Sequence, residues 1–545
     1  MEMGPEAGRQ YAATEDWVGR LPSDRGRRSR TGWMVSSIWA FGVLLACALL
    51  ALDRQAPAGR PVIKVGGPTD ISNYYSVAHS LLFDHDFDLS NQYRRLHVVG
   101  DDLPQEKYRW KEVQPQTDLP GSPYPIGSSL LQVPFLFVGS LAERILYGHS
   151  DGYSHVAVTF YYFGILFWLC LGLTLLFLLL RALGRSLGAS PRRCDWAAWI
   201  GSLALWPTTS LAYYSFSAMS HVAAFMASCA FLLAWWHARD STSLPRWLLC
   251  GACAGLLVMC RWQMALFMII PVLYDAFLFP RAGLLPAGKW LASRCVAVVA
   301  LYVAFLPQTL QWKAIYNKFL TLPQGADFFD FPARHALHVL FSTNHGWFVW
   351  TPITLVGVVG LLYGCFRLTR LCVPFSVALA LQVLLIGSLR TDWNASESFS
   401  IRTLTECLPL VGVGLGLLLF RGPAFLRRCL YGAGAMCAVY TLLFAVQYRL
   451  DLVPKGDRLT AGELIVDKLF LARAAQRKSA SLEASRMLAS DARKAAELAY
   501  RAGGQLGYDR EILKVILESE KRRGSPRAIA QAQASLDKVL KSRLF

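Results

Sequence analysis

The 545-residue chain has no glycine-rich phosphate loop, no Walker motif and no hydrolase nucleophile elbow. Nucleotide-fuelled and serine-hydrolase chemistry therefore have no foothold in it. Cysteine is confined: all 13 fall in or at the ends of apolar runs, and none lies in the polar segments 53–154, 309–345 or 446–545. That distribution excludes a disulfide framework. Cys250 and Cys253 are the only close pair, and small-residue helix packing accounts for them better than a metal or redox centre. Charge is sparse too, at 17% of residues against 54% hydrophobic, which excludes an ordinary soluble globular chain. No internal repeat of the kind built into transporter halves is visible. The first apolar run lacks a small-residue cleavage site, so it is expected to stay as an anchor.

What is present is a series of apolar runs, each near the roughly 20 residues needed to cross a bilayer. They fall near 33–52, 155–180, 194–214, 216–236, 247–260, 264–280, 291–308, 347–366, 371–389, 403–420 and 427–446. The net charge of +18 sits largely on arginines in the short loops between them, which is a signature of membrane topology and not of nucleic-acid binding. Arg25, Arg27, Arg28 and Arg30 place the N-terminus in the cytoplasm, and every loop expected on that side is then basic. Those loops hold Arg181, Arg185, Arg192 and Arg193, then Arg239 and Arg246, then Arg281, Lys289 and Arg294. Arg367 and Arg370 follow, and then Arg421, Arg427 and Arg428. One further run, 127–146, would invert every later loop if it crossed. It is therefore read as interfacial or re-entrant.

The expected fold is an all-α polytopic membrane protein with about eleven transmembrane helices. A cytoplasmic segment, 1–32, precedes a transmembrane domain, 33–446, whose long outer loop 53–154 carries interfacial helices. An extracytoplasmic helical tail, 447–545, closes the chain. In the tail the sequence predicts a helix over 479–501 ending at Gly503-Gly504, a second over 509–523, and a third opened by Ser525-Pro526. Residues 471–545 carry 16 Lys and Arg against 8 Asp and Glu, so the tail is expected to dock on anionic lipid or on the main domain.

Chemistry concentrates on the outer side, where nine of the ten histidines fall. The stretch 66–93 is the densest part. Helical spacing puts Ile71, Tyr74, Tyr75, Ala78, Leu81 and Leu82 on one face, so a helix lying on the membrane interface is expected, with Asp70 at its N-terminal end. A carboxylate there is a functional candidate. It can equally be a helix cap, a role open to Thr69 or Asp70. Asp84, Asp86 and Asp88 alternate and offer oxygen ligands, which leaves a divalent cation open. A calcium loop is excluded by Leu89 and Arg95 at its sixth and twelfth positions, and a solvated turn is the other reading. Arg261 and Arg402 lie at outer span ends, where the positive-inside tendency gives no reason for them. Glu406 stands one turn after Arg402, spaced to pair with it.

With these residues in view, the layout resembles the C-type superfamily of integral-membrane glycosyltransferases, which take sugars from polyprenyl-phosphate carriers. Protein O-mannosyltransferases and the lipid A aminoarabinose transferase belong there. The resemblance covers roughly 33–450 and rests on Asp70, Tyr74 and Ala78 after the first span and on Pro125-Ile126-Gly127. More narrowly, the chain is similar to a group of bacterial membrane proteins with further motifs, here Asp86 to Tyr93, Met219-Ser220-His221, Arg261-Trp262-Gln263, His345 to Pro352, and Arg402 to Pro409. That group often has a glycine-rich stretch before the last arginine; Ala395 to Ser400 replaces it, which leaves donor and acceptor recognition open.

The resemblance implies Asp70 as general base on an acceptor hydroxyl, with Arg261 and Arg402 on the carrier phosphate. Tyr74, Asp86, Asp88, His221, Gln263, His345 and Glu406 become candidate cavity residues. The implied partners are a polyprenyl-phosphate-linked sugar, a glycan, lipid or protein acceptor and membrane lipids, in a bacterial cytoplasmic membrane. A lipid-linked saccharide polymerase or ligase, and a non-catalytic transporter of such saccharides, are the competing readings.

Overall fold

The computed structural model describes residues 25–56, 61–67, 69–97, 111–278, 287–390 and 392–541. The segment before residue 25, and Arg281 among the loop arginines, lie outside the described residues. The described chain is helical, with two isolated β-bridges.

The N-terminal half holds α1 (Arg25–Gln55), α2 (Asp70–His79), α3 (Ser90–Arg95), α4 (Gly127–Tyr147), α5 (His155–Ser186), α6 (Pro191–Thr208), α7 (His221–Ala238), α8 (Leu244–Cys260) and α9 (Ile269–Leu278). Then come α10 (Ala287–Tyr316), α11 (Ile353–Arg367), α12 (Thr369–Gly387), α13 (Leu408–Arg421) and α14 (Ala424–Arg449). Proline in the first turn starts α6, α8 and α13, where its missing N–H has no partner to lose.

Eight helices among the described residues are long and apolar enough to cross a membrane. Seven correspond to expected spans; the eighth is Gly127–Tyr147, which charge parity had set aside. The expected spans at 247–260, 264–280 and 347–366 appear as shorter apolar helices, and 194–214 ends early at Thr208. The chain is thus an α-helical polytopic membrane protein, and the count of eleven is not reproduced.

α4 packs mainly on α5. It runs antiparallel to α5, with Gly139 against Ala157 and Phe160, and Phe135 against Phe167 and Trp168. Its first residue, Gly127, lies where a Cβ would fall 2.5 Å from the Met259 carbonyl carbon, at the end of α8. α4 thus packs along the His155-proximal part of α5, and its first residue meets the end of α8. Elsewhere the bundle closes through glycine: a Cβ on Gly414 of α13 would stand 1.9 Å from the Gly357 carbonyl oxygen of α11.

The tail differs from expectation in its breaks. Among the described residues after 470 it has four helices, α15 (Leu471–Met487), α16 (Ala492–Leu506), α17 (Arg510–Arg523) and α18 (Pro526–Lys541). The predicted 479–501 helix is interrupted because the Asp491 side chain accepts from Lys494 N–H and caps a new helix. Gly503 and Gly504 then lie inside α16, which stops at Gly507 with φ of +93°. Consecutive helices pack pairwise around Ala484, Ala499, Ile512, Ile516 and Leu536. Buried Arg510 ties this array to the segment after α14, with Nη1 3.0 Å from Asp457 and Nη2 3.2 Å from Glu463.

Gly414→Val should force α11 and α13 apart and destabilise the protein by about 1–3 kcal/mol, the usual range for overpacking. Gly432→Ala, with nothing within 4 Å of its Cβ, should be neutral by comparison. Thermal melting in detergent, followed by size-exclusion, distinguishes the two.

Candidate functional site

Thr69 settles the first ambiguity. Its side chain accepts from Ser72 N–H and caps α2, so the carboxylate of Asp70 is not the cap. That carboxylate turns instead toward a neighbouring element. Asp70 Oδ2 lies 2.9 Å from Arg402 Nη2, and the Tyr124 hydroxyl donates to Oδ1 at 2.6 Å. Burial favours the neutral acid, but Arg402, Tyr124 and the charge of Lys111 outweigh it and hold the Asp70 carboxyl below its ordinary range. Lys111 is itself buried, and desolvation lowers its ammonium to about 8, with Asp70 opposing the shift.

A second charged group adjoins the first. Glu406 is fully buried, and its Oε1 stands 3.0 Å from both His221 Nδ1 and Arg261 Nε. The Arg261 N–H is not aligned for a hydrogen bond to that oxygen, and Glu406 Oε2 has no hydrogen-bond partner. Arg261 Nη1 reaches Ser220 Oγ at 3.5 Å, and Ser220 donates to the Tyr74 hydroxyl at 2.9 Å. Gln263 Nε2 donates to the Thr403 carbonyl at 3.2 Å. Asp70, Tyr74, His221, Arg261, Gln263, Arg402 and Glu406 are thus assembled from four separate stretches of chain.

The expected Arg402–Glu406 pair does not form. Residues Arg402–Cys407 make a 3₁₀ turn, in which positions four apart diverge by about 120° instead of stacking. Arg402 pairs across to Asp70, and Glu406 faces His221 and Arg261. α2 is covered by protein on both faces: Ser72, Asn73 and Ser76 are fully buried along with Tyr75 and Ala78, as is Ser80 just after it. Its hydroxyls are satisfied locally: Ser76 donates to the Ser72 carbonyl one turn back in the helix, and Ser80 donates to Asp86.

Three predicted acids remain outside. Asp84, Asp86 and Asp88 follow the far end of α2, about 15 Å along the helix axis from Asp70. Asp84 Oδ2 accepts from Asn91 and Gln92, Asp86 Oδ1 from Asp88 N–H at 3.0 Å, and Asp88 Oδ1 from Ser90 N–H at 2.9 Å. These are turn-forming bonds. No group of three potential metal ligands gathers among the described residues, so the divalent cation left open by the sequence finds no built site there. His345 is buried apart, with Nδ1 2.8 Å from the Asn394 carbonyl and its ring against Trp350; burial lowers its imidazole to about 4.

Tyr124 and Lys111 join the site without having been singled out in the sequence, and Ser220 joins it from within the Met219-Ser220-His221 stretch. Asp392 is a fourth: burial raises its carboxyl, Asp70 adds to that, and Arg402 and the Ser396 hydroxyl oppose it. The signal that could have found one of them was that Met219-Ser220-His221 stretch; Tyr124, Lys111 and Asp392 carried none in the sequence. A cavity of about 390 Å³ lies elsewhere, between α7, α8, α9 and α10, walled by apolar side chains and the Arg294–Asp275 pair.

No family model and no curated protein matches the chain.

Removing one member of the buried Glu406 group should be severe. Glu406→Ala strands Arg261 in the interior and should destabilise by about 3–5 kcal/mol. Thr69→Ala, which removes only a cap, should cost about 1 kcal/mol. Paired melting curves check the ratio; equal losses would mean that Glu406 is not paired as described.

Proposed function

We propose that the chain is a membrane glycosyltransferase that moves a sugar from a polyprenyl-phosphate carrier to an acceptor hydroxyl. The observation that supports this most is the Asp70–Arg402 contact, a carboxylate and a guanidinium 2.9 Å apart with a tyrosine on the other carboxylate oxygen. Transfer from a phosphate carrier needs a base on one partner and a cation on the other, held together. In the reaction the acceptor oxygen bonds to the anomeric carbon and the bond from that carbon to the phosphate oxygen breaks. Its electron pair leaves with the phosphate, and the hydroxyl proton goes to Asp70.

With no phosphate bound, Arg402 neutralises Asp70 and makes it a weak base. A phosphate that engages the guanidinium fork competes for that charge, so the carboxylate gains basicity as the donor arrives. Arg261, whose Nε has no aligned acceptor, supplies a second cation, and Lys111 a third. On this reading the site opens to the outer face of a bacterial cytoplasmic membrane, the N-terminus is inside and the tail outside. A reporter active only in the cytoplasm, fused after Phe545, should be silent. A strain lacking the chain should accumulate a polyprenyl-linked saccharide, identifiable by mass spectrometry.

Asp70→Asn should leave an inserted, folded protein whose turnover falls on the order of 10²–10⁴-fold, the range for a lost general base. Near-normal turnover would remove Asp70 from that role. A second outcome concerns pH. The Lys111 ammonium loses its proton near 8, so donor KM should rise above that value and kcat should change less. Lys111→Arg keeps its charge and should abolish this limb. A donor KM flat across that range in the unmodified protein would exclude Lys111 from phosphate binding.

A further inference from the structure

After α14 ends at Arg449, the chain turns back instead of leaving. The segment 462–469, a π-helical turn (Gly462–Val466) and a helical turn (Asp467–Leu469), returns along the side of α14. The register is given by Lys468: its ammonium sits 3.5 Å from the Phe444 ring centroid and 4.6 Å from that of Tyr440. Those rings are five and nine residues before Arg449, roughly 8 to 14 Å below the end of the helix.

The segment has two faces. Its polar side is held by protein: Gln447 donates to the Glu463 carbonyl, Arg510 pairs with Glu463, and Arg477 pairs with Asp467. Lys468 is 3% exposed, with its ammonium also donating to the Leu464 carbonyl. The other side is apolar and open, with Ile465, Val466, Leu469 and Phe470 between 51% and 70% exposed. On α14, a candidate membrane span, Val439 and Val446 are also exposed, at 60% and 44%, as is Leu450 just past its end, at 56%. If α14 crosses the membrane as its length and composition allow, an apolar face beside it and roughly one and a half to two and a half turns below its end meets lipid and not water.

The geometry points to the segment 462–470 as an interfacial anchor, inserted into the bilayer leaflet at the C-terminal end of α14 and holding the four-helix tail at the membrane surface. The occupant of this surface is lipid. Amphipathic segments bind at this level by burying one apolar face in the acyl boundary. The same segment carries the ion pairs that fix α15 and α17, so anchoring also sets how the tail stands on the membrane. The inference does not depend on the proposed transferase activity or on which side of the membrane the tail occupies.

The test uses the full chain in phosphatidylcholine vesicles, with exposed Cys47, Cys295 and Cys429 replaced by Ser. An environment-sensitive fluorophore is placed on Leu469→Cys and, separately, on Ile465→Cys. Val439→Cys serves as the lipid-facing control and Glu497→Cys, on an exposed tail position, as the water-facing one. Brominated acyl chains should quench the labels at 465 and 469 as strongly as at 439, and iodide should quench only the label at 497. Quenching by iodide at 465 and 469 would overturn the anchor in favour of a solvated turn. Protection from both quenchers would overturn it in favour of a covering protein. Agreement between the two labelled sites guards against a local fold change at either one.

Discussion

The structure turns on a set of charges taken out of water and paired across the chain. Asp70 with Arg402, and Glu406 with His221 and Arg261, join the segment after α1 to the ends of three later helices. A buried charge without a partner costs several kcal/mol, so these elements are constrained to meet. Hydrophobic burial inside a bilayer cannot impose that constraint, because lipid satisfies an apolar face as well as protein does. The polar pairs therefore specify which loop closes over which helix ends. Once they do, Tyr74, Ser220, Gln263 and Tyr124 fall into place around them.

Around this centre the packing is short-range and shape-based. Glycine lets α13 meet α11 and lets α4 start against the end of α8, while Trp350, Phe399, Phe444 and Tyr448 stack into one aromatic cluster. Phe444 belongs both to that cluster and to the surface under Lys468. The interior that supports the site and the joint that carries the tail thus share a side chain. Loss of one aromatic there would be felt in both.

The site also shows how an acid can be kept in reserve. Asp70 is held in its charged form by Arg402 despite burial, whereas burial lowers Lys111 and raises Asp392, in both cases toward the neutral form. Groups whose protonation is pushed apart by one shared environment mark a place where binding of an anion changes basicity. An isolated carboxylate at a helix start has no such property.

The membrane class and most of the helices were legible in the residues alone, and Asp70, Arg261, His221, Arg402 and Glu406 stood out there before the structure brought them together. Apolar run length, loop charge and polar residues at span ends are local properties, and the bilayer turns them directly into structure. The pairing of those residues was not legible. Whether Arg402 meets Glu406 or Asp70 depends on a 3₁₀ turn too short to show in periodicity, and on a loop more than 300 residues away in sequence. The burial of α2, the packing of α4 on α5 and the return of 462–470 along α14 have the same origin. Each is a choice between two apolar surroundings, lipid or protein, that sequence hydrophobicity cannot separate and that only tertiary contacts decide.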